Sequence, residues 1–225
     1  MQSTISIQHK KERLAGSTLR RFLLVCGILS SSLYVAMNII VPMQFPGYSS
    51  FSQTISELSA IDTPTRSLWV ILAIVYTLLL VALGFALRQS VNPRGLRTAG
   101  TLLIVYGIIG LMWPPMHQRE VLAAGGGTLS DTLHIAFTAV AVILMISIIG
   151  FCAAAMGRKF RLYSITTVLV MLFFGMLTGL DSPNLEADLP TPWIGVWERI
   201  CIGAYLLWIT VLAIVLLRKE KGPVK

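Results

Sequence analysis

Six apolar runs alternate with short polar stretches along the chain. They cover approximately Phe22 to Met43, Leu68 to Leu87, Thr98 to Met116, Thr132 to Met156, Tyr163 to Leu180 and Trp193 to Leu217. A hydrocarbon core about 30 Å thick requires roughly 20 apolar residues in a helix. The runs should be helical, because lipid offers no partner to unpaired backbone amides and the runs are too long for barrel strands. The pattern predicts an all-α integral membrane protein, a bundle of six transmembrane helices.

The polar stretches predict one membrane domain without a separate soluble domain. It covers residues 22–217 and is flanked by basic tails over 1–21 and 218–225. The first run is predicted to be a retained anchor, because it is longer than the apolar core of a secretory signal. The sequence Val41-Pro42-Met43-Gln44 also lacks a small-x-small cleavage pattern.

Composition and charge support a membrane class and give the chain an orientation. With 55% hydrophobic and 12% charged residues, the chain is too apolar for a soluble domain. The net charge of +8 does not indicate nucleic acid as a partner, because the basic residues flank apolar runs. Fifteen of the 18 Lys and Arg residues lie on one side, and Arg66, Arg119 and Arg199 lie on the other. The positive-inside rule therefore predicts a multi-pass protein of the cell (plasma) membrane with both termini in the cytoplasm.

Small residues inside the runs are predicted to pack helices together. The pairs Gly27-x-x-x-Ser31 and Gly175-x-x-x-Gly179 have the spacing that permits close helix contact. Cys26, Cys152 and Cys201 show neither metal-site nor redox spacing, so they are interpreted as apolar packing residues.

The connection after the first run carries a helical pattern. Ser50-Phe51-Ser52-Gln53 has the form of a capping box, and Phe51, Ile55 and Leu58 recur at i, i+4 and i+7. This pattern predicts a short extracytoplasmic helix over Ser50 to Ser59, docked on the outer mouth of the bundle. Glu57 would lie on one of its polar faces.

Two ionisable residues open the fourth run. Asp131 and His134 are three residues apart, so a helix places them on one face. A carboxylate beside an imidazole can orient it for proton transfer or metal binding. In the alternative interpretation, Asp131 caps the helix within the pattern Thr128-x-x-Asp131, and His134 fills a polar gap.

Glu198 and Arg199 lie inside the last run, where charges require partners or water. As i, i+1 neighbours they cannot face one another, so each needs a partner elsewhere, and Glu57, Asp131 or Asp181 is expected to pair with Arg199. We expect Glu57, Asp131, His134, Glu198 and Arg199 to converge on one extracytoplasmic site, which makes them the candidate catalytic or binding residues. The alternative is a purely structural ion-pair network.

Motifs for cofactors and metals are missing from the sequence. It contains no P-loop, Rossmann glycine pattern, Gly-x-Ser-x-Gly elbow or haem-attachment cysteine pair, and no cofactor-binding site is predicted. His117, His134 and Asp131 are candidate metal ligands, but no His-x-x-x-His or His-Glu-x-x-His pair accompanies them. The other polar residues near His117, including Arg119 and Glu120, are interpreted as ordinary loop residues.

Four segments resemble the motifs of the uncharacterised membrane family catalogued as domain of unknown function 998. They are Gly47-Tyr48-Ser49, Ile55-Ser56-Glu57-Leu58-Ser59-Ala60, His134-x-x-Phe137 and Glu198-Arg199-Ile200. The family more often has Gly at the place of Ser59. The resemblance covers nearly the whole chain and implies a multi-pass membrane protein, without implying an activity.

Two functions fit these observations. The first, which we favour, is a lipid-binding, transport-related or assembly protein, in which the polar residues form a plug at the outer ends of the helices. Conduction is disfavoured because the inner halves of the runs are almost wholly apolar. The alternative is a membrane-embedded, hydrolase-like enzyme acting on a lipid or lipid-linked substrate at the outer leaflet. In that case, Glu57, Asp131, His134 and Glu198 would supply acids, bases or metal ligands.

Overall fold

The computed structural model describes residues 2–90 and 94–220, and this part of the chain is helical without strands. Its α-helices are α1 (Gln2–Ile40), α2 (Arg66–Arg88), α3 (Arg94–Leu111), α4 (Arg119–Ala123), α5 (Leu129–Ala155), α6 (Arg158–Glu186) and α7 (Ile194–Glu220). Two short 3-10 turns, Pro42–Gln44 and Ser56–Ser59, interrupt the connection between α1 and α2. The all-α prediction is therefore confirmed.

Five helical segments of the described chain are long and apolar enough to cross a membrane. They are Thr18–Gln44, Arg66–Arg88, Leu129–Ala155, Arg158–Glu186 and Ile194–Glu220. The third predicted run corresponds to α3, which is outside this set. It has 18 residues, and Arg94, Arg97 and several glycines lower its hydropathy.

The glycines of α3 let it lie very close to α2. A Cβ on Gly100 would stand 2.6 Å from the carbonyl oxygen of Gly84, so any side chain there would push the helices apart. On the other side of α3, a Cβ on Gly95 would stand 2.7 Å from the carbonyl oxygen of Phe151 in α5. The glycines that lower the hydropathy of α3 therefore allow this helix to pack closely between α2 and α5.

The core of the bundle is centred on α7. Tyr205 and Trp208 are fully buried, and Trp208 donates a hydrogen bond from Nε1 to Ser164 Oγ of α6 at 2.9 Å. The predicted contact at Gly27 and Ser31 is confirmed, because Ser31 Oγ donates to the carbonyl oxygen of Leu206 at 2.9 Å.

The second predicted glycine pair does not pack two helices closely. A Cβ added to Gly175 would lie 3.6 Å from Cys201 Sγ, which is an ordinary contact distance. A Cβ added to Gly179 would meet no other described atom within 4 Å. Gly175 therefore faces α7 at ordinary distance, and the spacing of the pair does not mark a close helix contact.

One end of the bundle, here called the tail end, is held by basic residues. Arg20 of α1 donates to the carbonyl oxygen of Ala86 at 3.2 Å and to Ser90 Oγ at 2.9 Å, and it pairs with Glu220 of α7. Arg21 donates to the carbonyl oxygen of Glu220 at 2.7 Å. These contacts tie the start of the apolar part of α1 to the ends of α2 and α7.

The opposite end, here called the loop end, gathers the connections 41–65, 112–128 and 187–193. The Ile61 amide donates to the carbonyl oxygen of Met116 at 2.8 Å, and Thr191 Oγ1 donates to the carbonyl oxygen of Ser52 at 2.8 Å. The connection 41–65, here called the first loop, therefore touches both of the others. Ile55 and Leu58 are buried residues of this loop, and they pack with Met37, Val41 and Trp69.

The predicted helix over Ser50 to Ser59 is wrong in extent. Its only helical part is the 3-10 turn Ser56–Ser59. The amides of Thr54 and Ile55 donate to the carboxylates of Glu57 and Glu198. Since those amides bond to side chains instead of to carbonyls one turn earlier, a regular helix cannot continue through them.

Candidate functional site

The most enclosed charge of the first loop is Glu57, which is 3% exposed. Arg119 of α4 holds its carboxylate with two parallel hydrogen bonds, Nε to Oε1 at 2.8 Å and NH2 to Oε2 at 3.0 Å. Thr54 adds its backbone amide at 2.6 Å and its hydroxyl at 3.0 Å. Such a bidentate, charge-assisted pair fixes both partners in place.

Arg119 also connects Glu57 to the connection before α7. Its NH1 donates to Thr191 Oγ1 at 3.2 Å, and Thr191 Oγ1 donates to the carbonyl oxygen of Ser52 at 2.8 Å. Burial works to lower the pKa of Arg119, but the hydrogen bond and charge of Glu57 outweigh it, so the pKa lies above its usual value. All three loop-end connections are therefore joined by one guanidinium.

Arg199 has backbone partners instead of the carboxylate partner expected for it. Its NH1 donates to the carbonyl oxygens of Ser50 at 2.9 Å, Gln53 at 3.1 Å and Gly195 at 3.0 Å. Its NH2 donates to the hydroxyl oxygen of Tyr48 at 2.7 Å. The suggestion that Glu57, Asp131 or Asp181 pairs with Arg199 is wrong, because the first loop presents carbonyl oxygens closer to this guanidinium.

The Tyr48 hydroxyl is a structural link within the first loop. It donates to the carbonyl oxygen of Thr54 at 2.7 Å while it accepts from Arg199. Burial raises its pKa strongly, and the nearby Arg199 charge opposes this shift only in part. Tyr48 therefore keeps its proton and remains a donor.

Glu198 lies one residue before Arg199 and faces a different neighbourhood. Its Oε2 accepts from the Ile55 amide at 2.5 Å. Among the described residues, no hydrogen bond reaches its other oxygen, and the side chain lines a cavity inside the bundle. Glu198 therefore anchors the first loop with one oxygen and has the other available to a ligand.

His134 lies beneath the first loop at the start of α5 and is 7% exposed. Its Nδ1 lies 2.8 Å from the carbonyl oxygen of Pro114, and its Nε2 lies 3.1 Å from Ser56 Oγ. The ring of Trp113 meets the imidazole edge-on, with centroids 5.6 Å apart. His134 thus connects α5 with the connection after α3 and with the first loop.

Asp131 does not join this arrangement. Its Oδ1 accepts from the His117 amide at 2.7 Å, and its Oδ2 lies 2.9 Å from His117 Nδ1. It also closes a capping box with Thr128 at the start of α5, which confirms the capping interpretation. The expected pairing of Asp131 with His134 is wrong, because Asp131 bonds to His117 on the loop side.

No group of three His, Cys, Asp or Glu side chains that could hold a metal ion occurs among the described residues. Of the candidate ligands, Asp131 and His117 bond to each other. The two ring nitrogens of His134 instead contact the carbonyl oxygen of Pro114 and the hydroxyl of Ser56. The three candidates are therefore divided between two neighbourhoods.

A cavity of about 370 Å³ opens directly under the first loop. Side chains of the first loop, α2, α3, α5, α6 and α7 line it. Its wall is mainly apolar, with Trp69, Ala141 and Met145 among the lining residues. Three further lining residues, Val70, Ile74 and Leu111, are 40%, 42% and 49% exposed on the flank of the bundle. The cavity therefore reaches the apolar flank.

Polar groups line this cavity where it meets the first loop. They are Ser56, Ser59, Arg66 and Glu198. Arg66 donates from NH1 to the carbonyl oxygen of Ser59 at 2.8 Å. The cavity thus combines an apolar body with a polar end, as ligand sites commonly do.

Four of the five predicted site residues meet at the first loop: Glu57, His134, Glu198 and Arg199. Sequence reasoning missed Arg119, because an arginine in a proline-rich connection resembles ordinary loop polarity. The feature that could have identified Arg119 is that Lys and Arg are rare on this side of the helices. Ser56 was also missed as a site residue, although it lies within the segment Ile55 to Ala60 that carries the family resemblance.

The apolar helices and the polar groups gathered at one end define a multi-pass α-helical membrane protein of unknown activity. The chain belongs to the family described as Protein of unknown function (DUF998), which matches residues 28–215. No curated protein and no solved structure gives a match.

Proposed function

We propose that this protein binds a lipid or lipid-linked amphiphile in the cavity under the first loop, from the extracytoplasmic leaflet of the cell membrane. The observation that carries the proposal is the cavity itself, an apolar space of about 370 Å³ that reaches the lipid-facing flank and ends at Ser56, Arg66 and Glu198. An acyl or isoprenoid chain would occupy the apolar part. The polar head would lie against the first loop.

The proposal includes a topology of six spans with cytoplasmic tails, residues 1–21 and 218–225. In this topology α3 also crosses the membrane, in addition to the five helices named above. Eighteen helical residues reach about 27 Å, close to the thickness of the hydrocarbon core. The excess of basic residues at the tail end supports a cytoplasmic position for that end.

Binding is favoured over conduction because the bundle is closed below the cavity. Towards the tail end, large apolar side chains fill the core, among them Leu83, Ile148 and Leu212, which are fully buried. A conducting path would need polar groups or water at that depth. The cavity is therefore best explained as a binding site with access from one leaflet.

Photolabelling with two matched glycine variants would test binding. The full chain is placed in nanodiscs of phosphatidylcholine that carries a diazirine on its acyl chain. In the wild type, Ala141 and Met145, which line the cavity and are otherwise buried, should be labelled. Ile143, 64% exposed on the same helix, reports bulk lipid.

Gly175→Phe should abolish the label at Ala141 and Met145 and leave that at Ile143, because Gly175 lines the cavity. Gly179→Phe, one turn along the same helix and directed into open space among the described residues, should leave both labels unchanged. Equal labelling of Ala141 in the two variants would overturn the proposal, as would a wild type labelled only at Ile143.

A further inference from the structure

We infer that Ser56 and His134 form a nucleophile and general-base pair that attacks an ester carbonyl of an amphiphile bound in the cavity. The inference rests on the proposed function for its substrate. Nucleophilic serine requires a base within hydrogen-bond reach and a third group that orients the base. The structure supplies all three parts beside the cavity, because Ser56 and Pro114 line it and His134 contacts both.

The third group is the carbonyl of Pro114, and it decides which imidazole nitrogen carries the proton. A carbonyl oxygen only accepts, so its 2.8 Å distance from Nδ1 requires a proton on Nδ1. The Trp113 Nε1, 3.2 Å from the same nitrogen, would require an unprotonated Nδ1 instead. We assign the proton to Nδ1 from the shorter contact, because repulsion between an unprotonated Nδ1 and the Pro114 oxygen at 2.8 Å costs more than loss of the longer Trp113 contact.

With the proton on Nδ1, the neutral imidazole has its lone pair on Nε2. That nitrogen lies 3.1 Å from Ser56 Oγ, within the distance over which a serine hydroxyl donates to a base. His134 is buried, so bulk water has little access to the imidazole. This is the arrangement in which a neutral histidine can remove a serine proton.

Ser56 is held firmly at the start of the 3-10 turn Ser56–Ser59. The residue before it is tied to Glu198 through its amide, and Ser59 Oγ donates to the carbonyl oxygen of Ser56 at 3.1 Å. Ser56 itself lines the cavity. An ester group at the polar end of the cavity would therefore meet a positioned hydroxyl.

The reaction is ester hydrolysis in two balanced steps. Ser56 Oγ bonds to the ester carbonyl carbon while its proton moves to His134 Nε2, and the bond to the leaving alcohol breaks as that alcohol takes the proton. A water molecule then attacks the acyl-serine, gives its proton to Nε2, and releases the carboxylic acid as Ser56 Oγ regains a proton. Water is the only co-reactant.

A fluorophosphonate probe tests the nucleophile. The full chain in phosphatidylcholine nanodiscs is treated with the probe, and the modified residue is identified by peptide mass spectrometry. Ser56 should be modified, and Ser56→Ala should lose the label. Ser147→Ala is the control, because Ser147 lies on α5 outside the cavity lining with its hydroxyl bonded to the carbonyl oxygen of Ile143, and it should retain the label.

The base is tested with a variant that keeps its structural bond. His134→Asn retains an amide N–H that can donate to the Pro114 carbonyl but has no group at the Nε2 position. It should slow labelling of Ser56 by about 10²- to 10⁴-fold, the usual contribution of a general base. Hydrolysis of a fluorogenic acyl ester should fall in parallel in Ser56→Ala and His134→Asn.

Failure of this inference can be told apart from failure of lipid binding. Diazirine labelling of Ala141 in Ser56→Ala reports both the fold and the cavity. If that labelling persists while the wild type is not modified at Ser56, the catalytic pair is overturned and binding stands. Modification of another residue, or equal labelling rates in the wild type and His134→Asn, would also overturn the pair.

Discussion

At the scale of single residues, the pairing of Glu57 with Arg119 gives the loop end a buried, bidentate ion pair. The two side chains are 4% and 12% exposed, so neither charge is well hydrated and each depends on the other. Removing one partner of a buried pair leaves an uncompensated charge, whereas the intact pair contributes less net stability than its geometry suggests. The measurable quantity is therefore the coupling between them.

Glu57→Gln and Arg119→Met should each lower the free energy of unfolding by about 3 to 5 kcal/mol, the usual cost of breaking a buried ion pair. The double variant should be less destabilised than the sum of the two, by about 0.5 to 3 kcal/mol. Unfolding in detergent, followed by the fluorescence of the tryptophans, would measure this. Glu120→Gln, next to Arg119 on an exposed position, is the control and should change little. Additive effects of Glu57→Gln and Arg119→Met would contradict the pairing.

The stability of the protein should fall less when Glu198 loses its charge than when it loses the oxygen that accepts the hydrogen bond. Glu198→Gln keeps an oxygen for the Ile55 amide, so the first loop should stay docked. Glu198→Leu leaves that amide unpaired and should cost about 1 to 3 kcal/mol. The comparison is made by unfolding and by protease cleavage within the first loop. Equal stability of the two variants would show that the hydrogen bond contributes nothing.

At the scale of elements, the close docking of the first loop on α7 requires a glycine at residue 195. A Cβ there would stand 2.3 Å from the carbonyl oxygen of Gln53 and 2.5 Å from that of Ser50. Both of these carbonyls also accept from Arg199. The start of α7 therefore shapes the loop that covers the cavity.

Gly195→Ala should displace the first loop and destabilise the protein by about 1 to 3 kcal/mol, as overpacking usually does. Gly203→Ala lies on the same helix where a Cβ meets no described atom within 4 Å, and it should be neutral or stabilising. Melting temperature and the rate of proteolysis between residues 45 and 60 would distinguish the two. A stable, protease-resistant Gly195→Ala would refute this account of docking.

At the scale of the whole molecule, the connections alternate between the two ends of the bundle. A polypeptide with this alternation and with basic residues concentrated at one end should lie with that end in the cytoplasm. Single cysteines at exposed positions can test the arrangement after Cys26, Cys152 and Cys201 are replaced by alanine. The positions are Gln89, Gly125, Lys159 and Pro190.

A membrane-impermeant maleimide added to intact cells should label cysteines at 125 and 190 and not those at 89 and 159. Disruption of the membrane should make all four react, which controls for local accessibility. Labelling of 89 in intact cells would contradict the orientation. Labelling of 89 and 125 from the same side would show that α3 does not cross the membrane.

The sequence alone was sufficient for the helical class, for the five helices long and apolar enough to cross a membrane, for the family resemblance and for the cap at Thr128. These features depend on local composition: apolar length decides whether a segment can span lipid, and a cap depends on residues three apart. The same local information also predicted that five ionisable residues would converge at the outer ends of the helices, because charges inside the last span require partners. Four of the five meet at the first loop, and Asp131 bonds to His117 instead.

Only the tertiary structure decided which partners were chosen. Arg119 pairs with Glu57, which is 62 positions away in the sequence, and Arg199 bonds to backbone carbonyls instead. Glu198 accepts from the Ile55 amide, which a helix over Ser50 to Ser59 would have used for its own backbone hydrogen bonds. Several acceptors competed for each donor, and their distances depend on how α4, α7 and the first loop pack. The cavity has the same origin, because empty volume results from the packing of several helices together and leaves no periodic signal in any one of them.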